Sequence, residues 1–312
     1  MTYTLTTKSK LTLLGGILTL SFLLVNSAQA VTISPLNFEL NNNPGDTVSN
    51  IVRIYNDLDV EIGVNMEVQD FVAAGEQGQV LVKGPEDKGT YSLANWVSLS
   101  PQTFKLAPRS SQMVEFTVKV PASGEPGGHY ASILASVSSS ATGGGVGINQ
   151  KVGALLLLSV AGEVSENLNL VDFNADSNFT EYGPEKLTVR FENDGTVHLK
   201  PRGFVLVKNM LGSEVTKLDL PQLNVLPQST REVDISLKDL GSQFGRYEAT
   251  LAAIYGATNE PMSAVTVYWV IPYKLLAVYG AVLLVLLILA YRGRKRIKLA
   301  LRVLFKGEQS SN

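Results

Sequence analysis

Few residues in this chain have types and spacings that could do chemistry. His129 stands in the turn string GGHY and His198 on the extended run after Asn193-Asp194-Gly195, and neither has local metal-ligand spacing. Asp57, Asp59 and Glu61 could in principle ligate calcium, but the glycine and final glutamate of an EF-hand loop are missing, so a solvated turn is expected. Gly143–Gly145 lies in a polar loop rather than ahead of a helix, which argues against a phosphate cradle. No G-x-S-x-G, P-loop or H-E-x-x-H occurs, and there is no cysteine to form a disulfide, a thiolate metal site or a nucleophile. The expectation is therefore no catalytic residue, no metal and no cofactor. Asn178-Phe179-Thr180 matches a glycosylation sequon, which matters only in a eukaryotic secretory route.

The binding candidates are aromatic: Phe71, Tyr91 and Trp96 in FVAAGEQGQVLVKGPEDKGTYSLANWVS. In NWVSLS, Val97 and Leu99 share one strand face while Trp96, Ser98 and Ser100 share the wetter one. A partly exposed ring beside an acidic loop suits stacking on a sugar. The competing reading is that Trp96 plugs the edge of a sandwich.

The elements that must position these residues are announced by a repeat. RIYNDLDV at Arg53–Val60 matches RFENDGTV at Arg190–Val197, setting Arg53 against Arg190, Asn56 against Asn193 and Val60 against Val197. Later, LAPRSSQMVEFTVKV matches VLPQSTREVDISLKD, pairing Pro108 with Pro227, and GHYASILASV matches GRYEATLAAI, pairing Tyr130 with Tyr247. Three matches in one order predict two related domains. Phe116, Val118 and Val120 alternate in the first copy as Val233, Ile235 and Leu237 do in the second, and turn strings such as NNNPGD and YGATNEP separate such runs. The predicted fold is all-β: two tandem immunoglobulin-like sandwiches, residues 31–165 and 166–270, with Tyr130 and Tyr247 as structural tyrosine corners. The first copy has about 18 more residues between its Arg and its Pro, assigned to the window Phe71–Ser98. Its last strand, GALLLLSV, is apolar on both faces and needs a cover on its second side.

The two ends explain a charge asymmetry. Residues 31–273 carry 16 Lys/Arg against 27 Asp/Glu, a balance of −11, while residues 292–312 carry seven Lys/Arg and the single acid Glu308. A basic surface confined to a short tail argues against nucleic-acid binding. Lys8 and Lys10, the apolar run Leu11–Val25 and Ser27-Ala28-Gln29-Ala30 predict a signal peptide over residues 1–30. Residues 271–291 are the predicted transmembrane helix, which makes the membrane itself a partner. Tyr268, Trp269, Tyr273 and Tyr291 are placed at the membrane interfaces, with Lys274 snorkelling at the rim. Arg292, Arg294, Lys295 and Arg296 open a basic tail, residues 292–312, that the positive-inside rule makes cytoplasmic. The expected topology is single-pass, with both sandwiches extracytoplasmic. In the tail, Lys298, Arg302 and Lys306 recur at helical spacing, which fits either a short helix on the inner leaflet or a plain stop-transfer block.

With these residues in view, the chain resembles the WxL-interacting protein family of bacterial surface proteins. The phrases that carry the resemblance are VTISPLNFELNNNPGDTVSNIVRIYND, SPQTFKLAPRSSQMVEFTVKVP and EPGGHYASILASV followed by KVGALLLLSVAGEV. They cover the first domain, and the layout of signal peptide, second β domain, membrane helix and basic tail follows the family's. The resemblance implies a first domain that binds peptidoglycan or another envelope glycan and a second that binds a secreted surface protein. It also implies that the membrane is the bacterial cytoplasmic membrane. The alternative is a pilus-type chaperone or assembly factor built from immunoglobulin-like domains.

Overall fold

The computed structural model describes residues 31–84, 86–87, 89–138, 149–237 and 244–306, with side chains in the C-terminal helix as far as Arg294. The predicted signal peptide, most of the glycine-rich connection and the end of the tail lie outside the described residues. Two compact units result. The first holds the chain up to Phe71, Val82–Glu125 and His129–Val160; the second holds Val72–Leu81, Pro126–Gly128 and everything from Ala161 on.

The first sandwich is built from β1 (Val31–Ser34), β2 (Asn37–Asn42), β3 (Thr47–Asn56), β4 (Ile62–Ala74) and β5 (Gln79–Val82), the end of β4 and β5 as far as Leu81 being grouped with the second unit. After these come β6 (Val97–Ser100), β7 (Thr103–Leu106), β8 (Ser111–Lys119), β9 (Gly127–Ser138) and β10 (Asn149–Val160). One sheet runs β1-β3-β8-β6, and the other β2-β10-β9-β4-β5 with β7 also paired to β4. In β8 the alternation read from sequence is realised: Val114, Phe116 and Val118 are fully buried while Met113 and Glu115, on either side of Val114, are exposed. Together with Val52, Ile54, Ile133, Leu156 and Leu158 they form the core between the sheets, where Phe38 meets Phe116 edge-on at 4.7 Å. Each such side chain contributes about 1.5–3 kcal/mol of burial.

The second unit contains β11 (Leu168–Ala175), β12 (Phe179–Thr180), β13 (Lys186–Asn193), β14 (Arg202–Asn209), β15 (Glu214–Asp219), β16 (Ser229–Ser236), β17 (Gly245–Tyr255) and β18 (Glu260–Val270). Its sheets run β11-β13-β16 and β12-β18-β17-β14-β15. This is the first unit's order with β6 and β7 removed, even to the parallel pairing of β2 with β10 and of β12 with β18. The fold is thus two immunoglobulin-like sandwiches. The extra residues of the first copy spread past Ser98, since β6 and β7 end at Ser100 and Leu106.

The repeated phrase has a physical reason. Asn56 and Asn193 are both buried, at 1% and 0% exposure. The amide of Asn193 donates to the carbonyls of Val197 (2.9 Å) and Val225 (2.8 Å) and accepts from the Gly195 N–H (2.9 Å). Asn56 donates to Val60 (2.9 Å), Leu106 (3.2 Å) and Ala107 (2.9 Å) and accepts from Leu58 N–H. Each asparagine ties its own turn to the backbone of a distant segment and satisfies buried polar groups of both. The matched Pro108-Arg109 and Pro227-Gln228 also agree in backbone, with φ of 54° at Arg109 and 53° at Gln228.

After β18 the chain crosses Ile271-Pro272 and enters α1 (Tyr273–Lys306). Tyr273–Arg294 is the one helical stretch among the described residues long and apolar enough to cross a membrane. The helix continues unbroken to Lys306, so no separate helix turns aside after the span.

Candidate functional site

In the first unit the insert is folded onto β9 by one carboxylate. Asp70, near the end of β4, accepts the hydroxyl of Ser92 (2.5 Å) and the N–H groups of Leu93 (2.9 Å) and Ala94 (2.8 Å). These bonds hold the entry to a 3-10 turn, Ala94–Trp96, which lacks a side-chain cap of its own. His129 closes the other side: Nδ1 lies 3.0 Å from the Ser92 carbonyl and Nε2 2.9 Å from that of Glu125. With both nitrogens on backbone carbonyls, the ring is a clamp rather than a ligand or a base.

The three aromatic candidates fall out differently. Phe71 is only 2% exposed and packs 5.9 Å from the buried ring of Tyr130, so a ligand could reach it only by opening the core. Tyr91 is half-buried, 6.1 Å from the same ring, and its carbonyl accepts the Tyr130 N–H at 2.9 Å. Trp96 is half-buried, packs against the core and lies 4.3 Å from the His129 ring, with part of its edge open. Phe71 and Tyr91 therefore cover the outer face of β9 at Tyr130, and Tyr91 and Trp96, both half-buried, keep part of their ring surface accessible. The carboxylates once considered for calcium are spent on cations: Asp59 on Arg109 (2.8 Å) and Glu61 on Lys105 (3.2 Å). No group of three His, Cys, Asp or Glu among the described residues could hold a metal ion.

The second site is the end of the second sandwich from which α1 leaves. Of the residues assigned to the membrane interface, Trp269, Tyr273 and Tyr291 are exposed, and Arg292 and Arg294 are too, with Arg294 4.3 Å over the Tyr291 ring. The side chains of Lys295 and Arg296 lie outside the described residues. Tyr268 does not belong to this set. It is 0% exposed and stacked on Tyr247 at 5.4 Å, inside the sandwich, because strand alternation turns it opposite to Trp269. Burial, and then the neighbouring Tyr247, push its hydroxyl well above the ordinary tyrosine range. Lys274 is not free to snorkel, since its ammonium is held 2.7 Å from the carboxylate of Glu181, whose side chain is only 9% exposed.

Sequence reasoning missed Glu181 and the apolar residues around it: Phe179, Tyr182, Met210, Leu211 and Phe244, all more than 60% exposed. The available signal was large apolar side chains inside the turn strings SNFTEYG, NMLG and SQFG, where small polar residues are usual.

No protein-family model and no curated protein matches the chain. Solved structures are similar to the chain at low identity and low TM-score. The class 5 fimbriae chaperone CfaA is 13% identical over 78% of this chain and 100% of its own, with a TM-score of 0.40. The SafB chaperone, solved with SafA pilin from Salmonella enterica, is 12% identical over 79% and 99%, with a TM-score of 0.36. The E. coli chaperone DraB is 12% identical over 76% and 96%, with a TM-score of 0.35.

Proposed function

We propose that this chain is a membrane-tethered, non-enzymatic binding protein of the bacterial envelope that holds a protein partner outside the cytoplasmic membrane. The observation that carries the reading is the junction of β18 with α1. Two residues separate a core strand from an apolar helix, and the Glu181–Lys274 pair fastens the helix start to the sandwich. A domain so joined to a membrane span works at a fixed surface, where a tethered binding module is useful. Binding rather than chemistry is supported by the spent histidine and carboxylates of the first unit. A protein partner is supported by the open edge at β15, a terminal strand of its sheet whose unpaired backbone groups suit an added strand. An assembly factor that shelters a client strand is one form of this reading.

A second reading, supported by the resemblance to WxL-interacting proteins and by the open edge of Trp96, is that the first sandwich binds peptidoglycan. A photo-crosslinking residue at Lys217, on β15, separates the two in intact cells. The expected result is one discrete protein adduct that is absent with the same probe at Ile51, an exposed mid-sheet position. No adduct, together with full-length protein that sediments with purified peptidoglycan and loses this on Trp96→Ala, would replace the protein-partner reading with the glycan one.

A further inference from the structure

The second sandwich has a greasy end. The strand registers set Gly245 opposite Val270, Tyr247 opposite Asn209 and Phe179 opposite Trp269, so the loop before β13, the turn between β14 and β15, and Phe244 just before β17 all lie where α1 departs. Phe179 (70% exposed), Tyr182 (76%), Leu211 (83%) and Phe244 (63%) are presented there, beside Trp269 and Tyr273. By contrast Ile254, at the far end of β17, is 36% exposed.

Three facts give this end a meaning. First, the β14–β15 turn is a tight one: the Gly212 N–H donates to Asn209 O at 2.9 Å, φ at Gly212 is +79°, and the Asn209 side chain accepts from Leu211 and Ser213. Turns of this kind normally show polar residues to water, but this one shows Met210 and Leu211. The same hairpin of the sister sandwich carries Glu76 and Gln77 at its tip. The fold therefore tolerates polar residues here, and apolar ones need another reason. Second, Tyr182, Phe244 and Pro272 continue onto Leu275, Leu276, Val278 and Tyr279 of α1 as one groove of about 650 Å³. Third, the only carboxylate among the described residues lining that groove, Glu181, is neutralised by Lys274, which lessens the cost of taking it out of water.

We propose that this end of the second sandwich is a lipid-binding surface. Its loops enter the headgroup region of the outer leaflet, and the groove beside α1 takes a phospholipid acyl chain. Aromatic rings with polar edges suit that depth, and Leu211 and Met210 supply apolar area. The proposal rests on the membrane-tethered reading above, but goes beyond it. A tether needs only the helix, whereas here the domain itself is seated in the bilayer.

The chain has two tryptophans, so Trp96→Phe and Trp269→Phe give a silent background for single reporters. Full-length protein is reconstituted in phosphatidylcholine–phosphatidylglycerol vesicles containing lipids spin-labelled either near the headgroup or deep in the chain. Leu211→Trp and Phe244→Trp should emit blue-shifted light and lose it to the shallow label, while Ile254→Trp should respond to neither label. Leu284→Trp, within the span, should be quenched by the deep label. If Leu284→Trp reports the deep label while both loop reporters remain open to aqueous iodide and blind to lipid labels, the proposal fails and the tether stands. If Leu284→Trp is blind as well, the tether fails and the proposal falls with it. Two loop positions guard against one reporter disturbing its turn.

Discussion

Buried polar side chains at two positions show opposite balances. Asn193 meets its partners on both sides, so Asn193→Ala would take a bond from the Val197 carbonyl and the Gly195 N–H, while the Val225 carbonyl keeps the Leu199 N–H (3.0 Å). Unfolding of the full-length protein in detergent by urea should show a loss of about 1–3 kcal/mol, and Asn56→Ala a loss of the same order. Tyr268 differs, because its hydroxyl is buried with no hydrogen-bond partner while its ring is fully packed. Tyr268→Phe keeps the ring and removes the unsatisfied group, so it should be neutral or stabilise by up to about 1 kcal/mol. A loss of stability would mean that the hydroxyl has a partner, such as buried water. The asparagines were legible in the sequence because a duplicated framework repeats the residue it depends on. Tyr268 was misread because an aromatic four residues before a proline and an apolar run looks interfacial, whereas strand parity sends it inward. Glu181 was not legible at all, since its partner lies 93 positions away in sequence.

At the level of elements, period-two alternation gave the paired strands correctly, and the length difference between the copies located most of the insert. What it could not give was the insert's attachment. Asp70 reads as one more acid in an acidic chain, yet three bonds converge on it from Ser92, Leu93 and Ala94. Asp70→Ala should release the 3-10 turn and loosen Tyr91 over Tyr130. Limited proteolysis should then cut within residues 83–94 faster than in the parent protein, with stability lowered by about 1–3 kcal/mol. Asp70→Asn, which keeps an acceptor, should fall between the two. Unchanged cleavage would mean that aromatic packing alone holds the insert. An insert tied down at Asp70, His129 and Tyr130 leaves the half-buried rings of Tyr91 and Trp96 as the candidate aromatics that a ligand could still touch.

For the whole molecule, the charge distribution and the helix length bear on the same question. The apolar stretch Tyr273–Arg294 is 22 residues, about 33 Å as a helix, which spans a bilayer core of about 30 Å. The full helix of 34 residues reaches about 51 Å, so its basic last turns lie beyond the core. Those turns begin at Arg292, and the opposite end begins among Tyr273, Trp269 and the paired Lys274. We propose that the Arg and Lys residues concentrated just after the span orient the chain with its sandwiches outside. Protease added to intact spheroplasts should therefore digest residues 31–270 and leave a C-terminal epitope protected until lysis. Reversing the bias with Lys/Arg→Gln changes at 292, 294, 295 and 296 should reduce the protected fraction, because these residues stand closest to the span and weigh most in its orientation. An epitope cut without lysis in the parent protein would invert the topology. The acidic sandwiches would then face the cytoplasm, and a partner in the envelope would be ruled out on grounds of place alone.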